Sequence, residues 1–187
     1  MNLNKPALLS ELIIMTSDGL AVCANLIQPL SEGKLNHQPN EKCWSVAQCL
    51  EHLNRYSDYY HPLISKLLDE ASKTPHIQGY QTGIIGNYFA NSMLPKNGKI
   101  AKMTTPKDKN PLYSSVSPEV VSRFEKNQKE LEALLNRSND YDLGAIRVPI
   151  TISRFIKLKL GDMFRFLVYH NFRHLEQCKA VITELNL

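Results

Sequence analysis

The chain has 187 residues, of which 43% are hydrophobic and 21% charged, and a net charge of +4. That size and balance suit a single domain over residues 1–187 with its own core and exclude a disordered chain, while a charge excess this small falls short of a nucleic-acid-binding signature. No apolar run approaches the ~20 residues that span a bilayer, and Met-Asn-Leu-Asn-Lys-Pro at the start lacks a signal-peptide pattern, so the expected setting is cytoplasmic and away from membranes.

From Ala7 to Leu30, Leu8, Leu9, Leu12, Ile13, Leu20, Val22, Cys23, Leu26 and Ile27 recur at helical spacing. They predict one long helix, bent near Ser17-Asp18-Gly19. Ser31 to Lys42 is polar, carries Gly33 and Pro39, and reads as a loop. Ser45 followed by Gln48 is a capping-box pattern, and Trp44 just before it is placed to staple back onto the helix. This second amphipathic helix runs from Val46 through Leu68 to near Ser72, with a kink expected at Pro62.

Between Lys73 and Ser117 periodicity fades and prolines and glycines punctuate the chain. Irregular stretches of that length are often lids over functional sites. Ile84 to Met93 is expected to form a short helix within it. Lys96, Lys99, Lys102, Lys107 and Lys109 also fall here, giving either a solvated loop or a docking surface for an anionic small molecule. Ser117 as cap and Pro118 at the first helical position open a third helix that lasts to about Asn136. A second irregular stretch, Ser138 to Lys159, includes Ile152 to Leu160, read as a short helical piece. Gly161-Asp162 then opens the last helix, with Asp162 as its cap. Four amphipathic helices joined by connections rather than strands predict an all-α bundle.

Cys23, Cys43, Cys49 and Cys178 are widely spread and form no C-x-x-C pair, so free thiols are expected. Six histidines remain to be placed. His170 and His174 stand at i and i+4 on the last helix, where two imidazoles project from one side. His52 flanks the apolar stripe of the second helix beside Cys49, Leu53 and Tyr56 and can reach a neighbouring helix. Three imidazoles from two helices would leave open positions on a metal, as catalytic sites require; the bland reading is three histidines hydrogen-bonded to neighbours. His37 and His76 lie in polar loops, and His61 precedes Pro62. Glu51, Glu176, Gln48 and Gln177 are competing ligands.

Two stretches carry a resemblance. Trp44-Ser-Val-Ala-Gln-Cys-Leu-Glu-His52-Leu resembles the tryptophan-to-histidine opening of the second helix in the DinB-like superfamily. Leu160-Gly-Asp, followed by His170-Asn-Phe-Arg-His174-Leu-Glu-Gln, resembles that family's closing H-x-x-x-H helix. The resemblance implies an up-down-down-up four-helix bundle with long irregular connections between helices two and three and between three and four. It also implies a homodimer and a divalent metal held by His52, His170 and His174. Members include metal-dependent hydrolases and transferases that use bacillithiol or mycothiol.

The expectation is therefore a metal-dependent enzyme acting on a small molecule, either a thiol S-transferase or a hydrolase. Nickel or zinc would suit imidazole ligands, with a low-molecular-weight thiol as the further cofactor of the transferase. Glu51, Tyr56 and Asp162 are the nearby candidates for a general base. The competing expectation is a non-catalytic, metal-binding, stress-related dimer.

Overall fold

Asn4 starts the first long helix by accepting the Ala7 amide on its Oδ1 at 2.9 Å, with Pro6 in the first turn, where a missing amide costs nothing. The computed structural model describes residues 1–95, 103–112, 114–151 and 153–185; Lys96, Lys99 and Lys102 of the lysine-rich stretch lie outside them. Helix α1 spans Lys5–Val22 and widens into a π turn over Cys23–Ile27. It continues through Ser17-Asp18-Gly19 as helix, and Gly19 has a different task from the expected bend. A Cβ there would stand 3.1 Å from Leu175 Cδ1 of the last helix, so glycine permits the two helices to close. By length and composition Lys5–Ile27 is long and apolar enough to cross a membrane, which corrects the expectation that no run is. In this fold Leu8, Leu9 and Leu12 of that stretch are buried in the bundle core.

A short helix, α2 (Glu32–Asn36), interrupts the polar loop. Helix α3 (Val46–Glu70) opens on the expected capping box. Ser45 Oγ accepts the Gln48 amide and Gln48 Oε1 accepts the Ser45 amide, each at 3.1 Å, an arrangement worth about 1 kcal/mol. The helix runs through Pro62 without ending. Strands β1 (Asn2–Asn4) and β2 (Gly79–Gln81) pair antiparallel and lead into α4 (Ile84–Met93), the short helix expected there. Helix α5 (Glu119–Arg137) follows, its first amide held by Ser117 Oγ at 3.3 Å.

The stretch before the last helix is not helical. It is a hairpin of β3 (Arg147–Ile150) and β4 (Ser153–Lys159), so the protein is mostly helical rather than all-α. Period-two burial explains it: Val148, Ile150 and Leu158 face the core while Arg147, Phe155 and Lys157 face outward. Helix α6 (Leu160–Glu184) begins at once, with Lys159 rather than Asp162 at its cap position. Asp162 is fully buried, and its Oδ2 accepts the Gly83 amide at 2.7 Å. It thus caps α4, a partner that no local pattern could reveal.

Helices α1 and α3 each pack against both α5 and α6. Two apolar clusters fill the interior, one centred on Leu12, Tyr60, Phe164 and Leu167, the other on Leu50, Leu53, Phe124 and Cys178. Buried amides also tie the helices together: Asn127 donates to Asn54 Oδ1 at 2.9 Å, and Asn171 donates to Gln128 Oε1 at 3.0 Å. Buried amides that find partners fix helix register at little net cost, whereas unpaired ones would be expensive. Four histidines on the helices, His52, His61, His170 and His174, are buried as well.

Candidate metal centre

The capping box sets where α3 begins and therefore which way His52 points, two turns in. The i, i+4 spacing on α6 aims His170 and His174 at the same place. His170 Nε2 lies 3.1 Å from His52 Nε2 and 3.1 Å from His174 Nε2, and the three atoms all fall within 4.8 Å of one another. Zn–N bonds of about 2.0–2.1 Å around a tetrahedral ion would separate its nitrogens by roughly 3.3 Å. The cluster has the dimensions of a metal site.

Tautomers make the case sharper. His52 Nδ1 lies 2.7 Å from the main-chain oxygen of Lys109, an atom that can only accept, so Nδ1 carries the proton. His174 Nδ1 donates in the same way to Gln177 Oε1 at 3.0 Å. Burial holds the His52 pKa down to about 4, and burial together with the neighbouring His52 holds that of His174 down to about 3. His170 is pushed well below the ordinary range by burial and by its two imidazole neighbours. Near neutral pH all three rings are uncharged, and His52 and His174 both present bare Nε2 lone pairs to His170 Nε2. One N–H on His170 Nε2 can point at only one of them, which leaves the other buried lone pair without a donor. A cation among the three nitrogens relieves that conflict, and the outer partners Lys109 and Gln177 are of the kind that orient metal-binding imidazoles.

Aromatic rings pack around the cluster. Trp44 stacks on His174 at 5.6 Å between centroids and tilts over His52 at 4.8 Å. Phe166 stacks on His170 at 5.4 Å, with Tyr56 against its edge at 4.7 Å. The histidines sit in the wall of a cavity of about 820 Å³. Its other walls include Tyr60, Met93, the segment Met103–Pro106, and Ile150 and Thr151 at the hairpin tip. Tyr60 hydroxyl accepts the Thr151 amide at 3.1 Å, which fastens that tip to α3.

The remaining histidines are elsewhere. His37 and His76 are exposed, and His61 is buried with its Nδ1 3.6 Å from Glu130. Of the competing ligands, Gln48 is committed to the capping box, Glu176 pairs with Lys179 at 2.6 Å, and Gln177 orients His174. Glu51 is bound by Arg55 at 2.7 Å and Arg123 at 3.0 Å and faces another cavity. Asp162 is buried against α4, so neither carboxylate stands beside the imidazoles as a base. Tyr56 does, but burial raises its pKa to about 12. Spacing could not indicate Arg173, which is 7% exposed and lines the cavity, nor the roles of Phe166 and of the Lys109 carbonyl.

Comparisons with known proteins agree with this architecture. The structure of YfiT from Bacillus subtilis, described as a probable metal-dependent hydrolase with an unusual four-helix bundle topology, superposes with a TM-score of 0.63 at 12% identity. The match covers 95% of this chain and 87% of that one. A search of curated proteins found no match. A sequence profile of the DinB superfamily matches residues 17–178, which is most of the chain, and the protein therefore belongs to the DinB superfamily.

Proposed function

We propose that this protein is a metal-dependent enzyme in which His52, His170 and His174 hold a divalent cation, nickel or zinc, at the wall of a substrate cavity. The observation that carries the reading is the convergence of three buried Nε2 atoms, two of them fixed as bare lone pairs by outward hydrogen bonds. Such a cation supplies Lewis acidity, which activates a water or thiol nucleophile and polarises a substrate carbonyl. Around it the chain excludes water with Trp44, Tyr56 and Phe166 and fixes ring orientation through Lys109 and Gln177. Because Glu51 and Asp162 are engaged elsewhere, neither serves as a carboxylate base beside the imidazoles. The reaction is hydrolysis or thiol S-transfer, with a low-molecular-weight thiol as cofactor in the second case.

The reading includes an up-down-down-up bundle. Six contacts support it: Lys5 with Asn139 and Cys23 with Glu125 oppose α1 and α5, while Asn54 with Val120 and Asp69 with Arg137 align α3 and α5. His52 with His170 and Tyr56 with Phe166 oppose α3 and α6. The reading also includes one domain over residues 1–187, a homodimer, a small-molecule substrate and a cytoplasmic setting; sedimentation of the purified protein tests the dimer.

The deciding experiment incubates metal-loaded protein with esters and amides in one arm and thiol–electrophile pairs in the other. Turnover in one arm that disappears in His52→Ala and His174→Ala is expected. Stoichiometric metal without turnover in either arm would move the protein to the non-catalytic, metal-binding reading.

A further inference from the structure

Helix α4 turns an apolar side outward. Ile84 is 93% exposed, Tyr88 71% and Ile85 52%, and at about 100° per residue the three fall within one arc of the helix. Met1, 65% exposed, extends the patch, because its main-chain oxygen accepts the Thr82 amide at 3.0 Å, two residues before Ile84. No residue from Ile84 to Met93 is charged. Asn87, Asn91 and Ser92 already have partners within the chain: the two asparagines accept from Arg165 at 2.8 and 2.9 Å, and Ser92 donates to the Phe89 carbonyl at 2.7 Å. A surface helix ordinarily gives its polar side to water.

The helix is also a fixed platform, seated on α6. The Gly83 amide donates to Asp162 Oδ2 at 2.7 Å, and Gly86 leaves no room for a Cβ against the same side chain. On the inner side Phe89 and Met93 line the 820 Å³ cavity. A rigid face loses little freedom when it docks. The exposed Ile14 of α1 and Leu26 of the π turn make no such patch, since they stand about 18 Å apart along the helix. Apolar side chains scattered singly are ordinary.

At their exposures the four side chains present on the order of 600 Å². Two copies face to face would cover roughly 1,200 Å², the size at which stable interfaces begin. Each chain carries a net charge of +4, and a face without charged side chains lets two copies meet with no like charges opposed across it. Tyrosine within an apolar patch is among the residues that dominate association.

We propose that Ile84, Ile85, Tyr88 and Met1 form the face on which a second copy of this chain docks about a two-fold axis. The inference rests on the dimer included in the function proposed above and names the surface that makes it. It sets α4 between the partner copy and the cavity, so that docking backs the wall that Phe89 and Met93 supply.

Sedimentation velocity of the full chain across a dilution series tests the face. The native chain and Ile14→Glu, an exposed control on α1, are expected to sediment as dimers. Ile84→Glu combined with Tyr88→Glu should raise the dimer dissociation constant at least about a hundredfold, since each change counts twice across a two-fold. Circular dichroism should show native helix content in that variant. If it does not fold, Tyr88→Ala takes its place, with about a tenfold rise expected. A folded α4 variant that dimerises as tightly as the native chain overturns this face and leaves the dimer standing. A native chain that stays monomeric overturns both, and its flotation with phosphatidylcholine vesicles would give the patch to a lipid surface instead. The readout is mass alone, so failure of the histidines to hold metal would sink the proposed metal centre without touching this result.

Discussion

His52 donates its Nδ1 proton to the main-chain carbonyl of Lys109 over 2.7 Å, so a residue of the loop before α5 decides the tautomer of a residue on α3. The acceptor is backbone, and Lys109→Ala should therefore retain metal. His52→Ala and His174→Ala should lose stoichiometric metal. Emission spectrometry on the purified proteins checks all three, and full metal content in His52→Ala would remove the site.

Gln177 acts on His174 from the outside, accepting its Nδ1 proton at 3.0 Å. Gln177→Leu keeps the bulk and removes the acceptor, freeing the ring to swap tautomers. Affinity for zinc is expected to fall about 10–100-fold, the usual cost of losing an orienting partner. Competition with a chromogenic chelator measures it, and unchanged affinity would show that Gln177 does not orient the ring.

Protonation gives a third expectation. His52 titrates at about 4 in the folded chain against 6.5 for a free histidine, and burial is the main cause. The unfolded chain takes the proton more readily, so this group's contribution to stability is complete above pH 6.5 and is lost as the pH falls from there towards 4. The gap corresponds to about 3 kcal/mol for His52 alone. Urea unfolding of metal-free protein along that pH range should show the loss, and His52→Asn should lessen it, with His170 and His174 carrying the rest. Parallel pH curves for the two proteins would count against this account.

A fourth concerns the glycine that opens α6. A Cβ on Gly161 would sit 2.6 Å from Cζ of Tyr80, a buried ring on β2. Gly161→Ala should cost about 1–3 kcal/mol by overpacking. Gly33→Ala, with nothing near its Cβ, is the control and should be neutral or slightly stabilising. Thermal midpoints compare them; equal midpoints would mean that the α6 start can yield.

The features readable in the sequence are those encoded locally. Ser45 and Gln48 are three residues apart, and the capping box they spell is the one that forms. His170 and His174 share a helix face because four residues make about one turn, and the apolar stripe of α3 carries His52 to meet them. That the meeting place binds metal is a proposal built on it. What escaped reading was nonlocal or short. Asp162 looked like the cap of its own helix, but its partner is the Gly83 amide, 79 residues away. In the β3–β4 hairpin β3 has only four residues and contains Pro149, which weakens a strand signal, so the alternation of the stretch reads as a helical fragment. Trp44 was readable as a staple, yet its stacking on His174 depends on where α6 arrives.

The three imidazoles ride on α3 and α6, whereas part of the cavity lining comes from Asn40, Lys42, Cys43, the segment Met103–Pro106 and the β3–β4 turn. The imidazoles thus share the cavity wall with loop residues as well as with Tyr56, Tyr60, Met163 and Phe166 of their own helices. Replacements in the loops can reshape what enters while the caps and helix spacings that aim the nitrogens stay untouched. On the proposed metal-centre reading such a scaffold is modular in part: new specificities would be reached by editing connections, with the metal-holding nitrogens inherited whole.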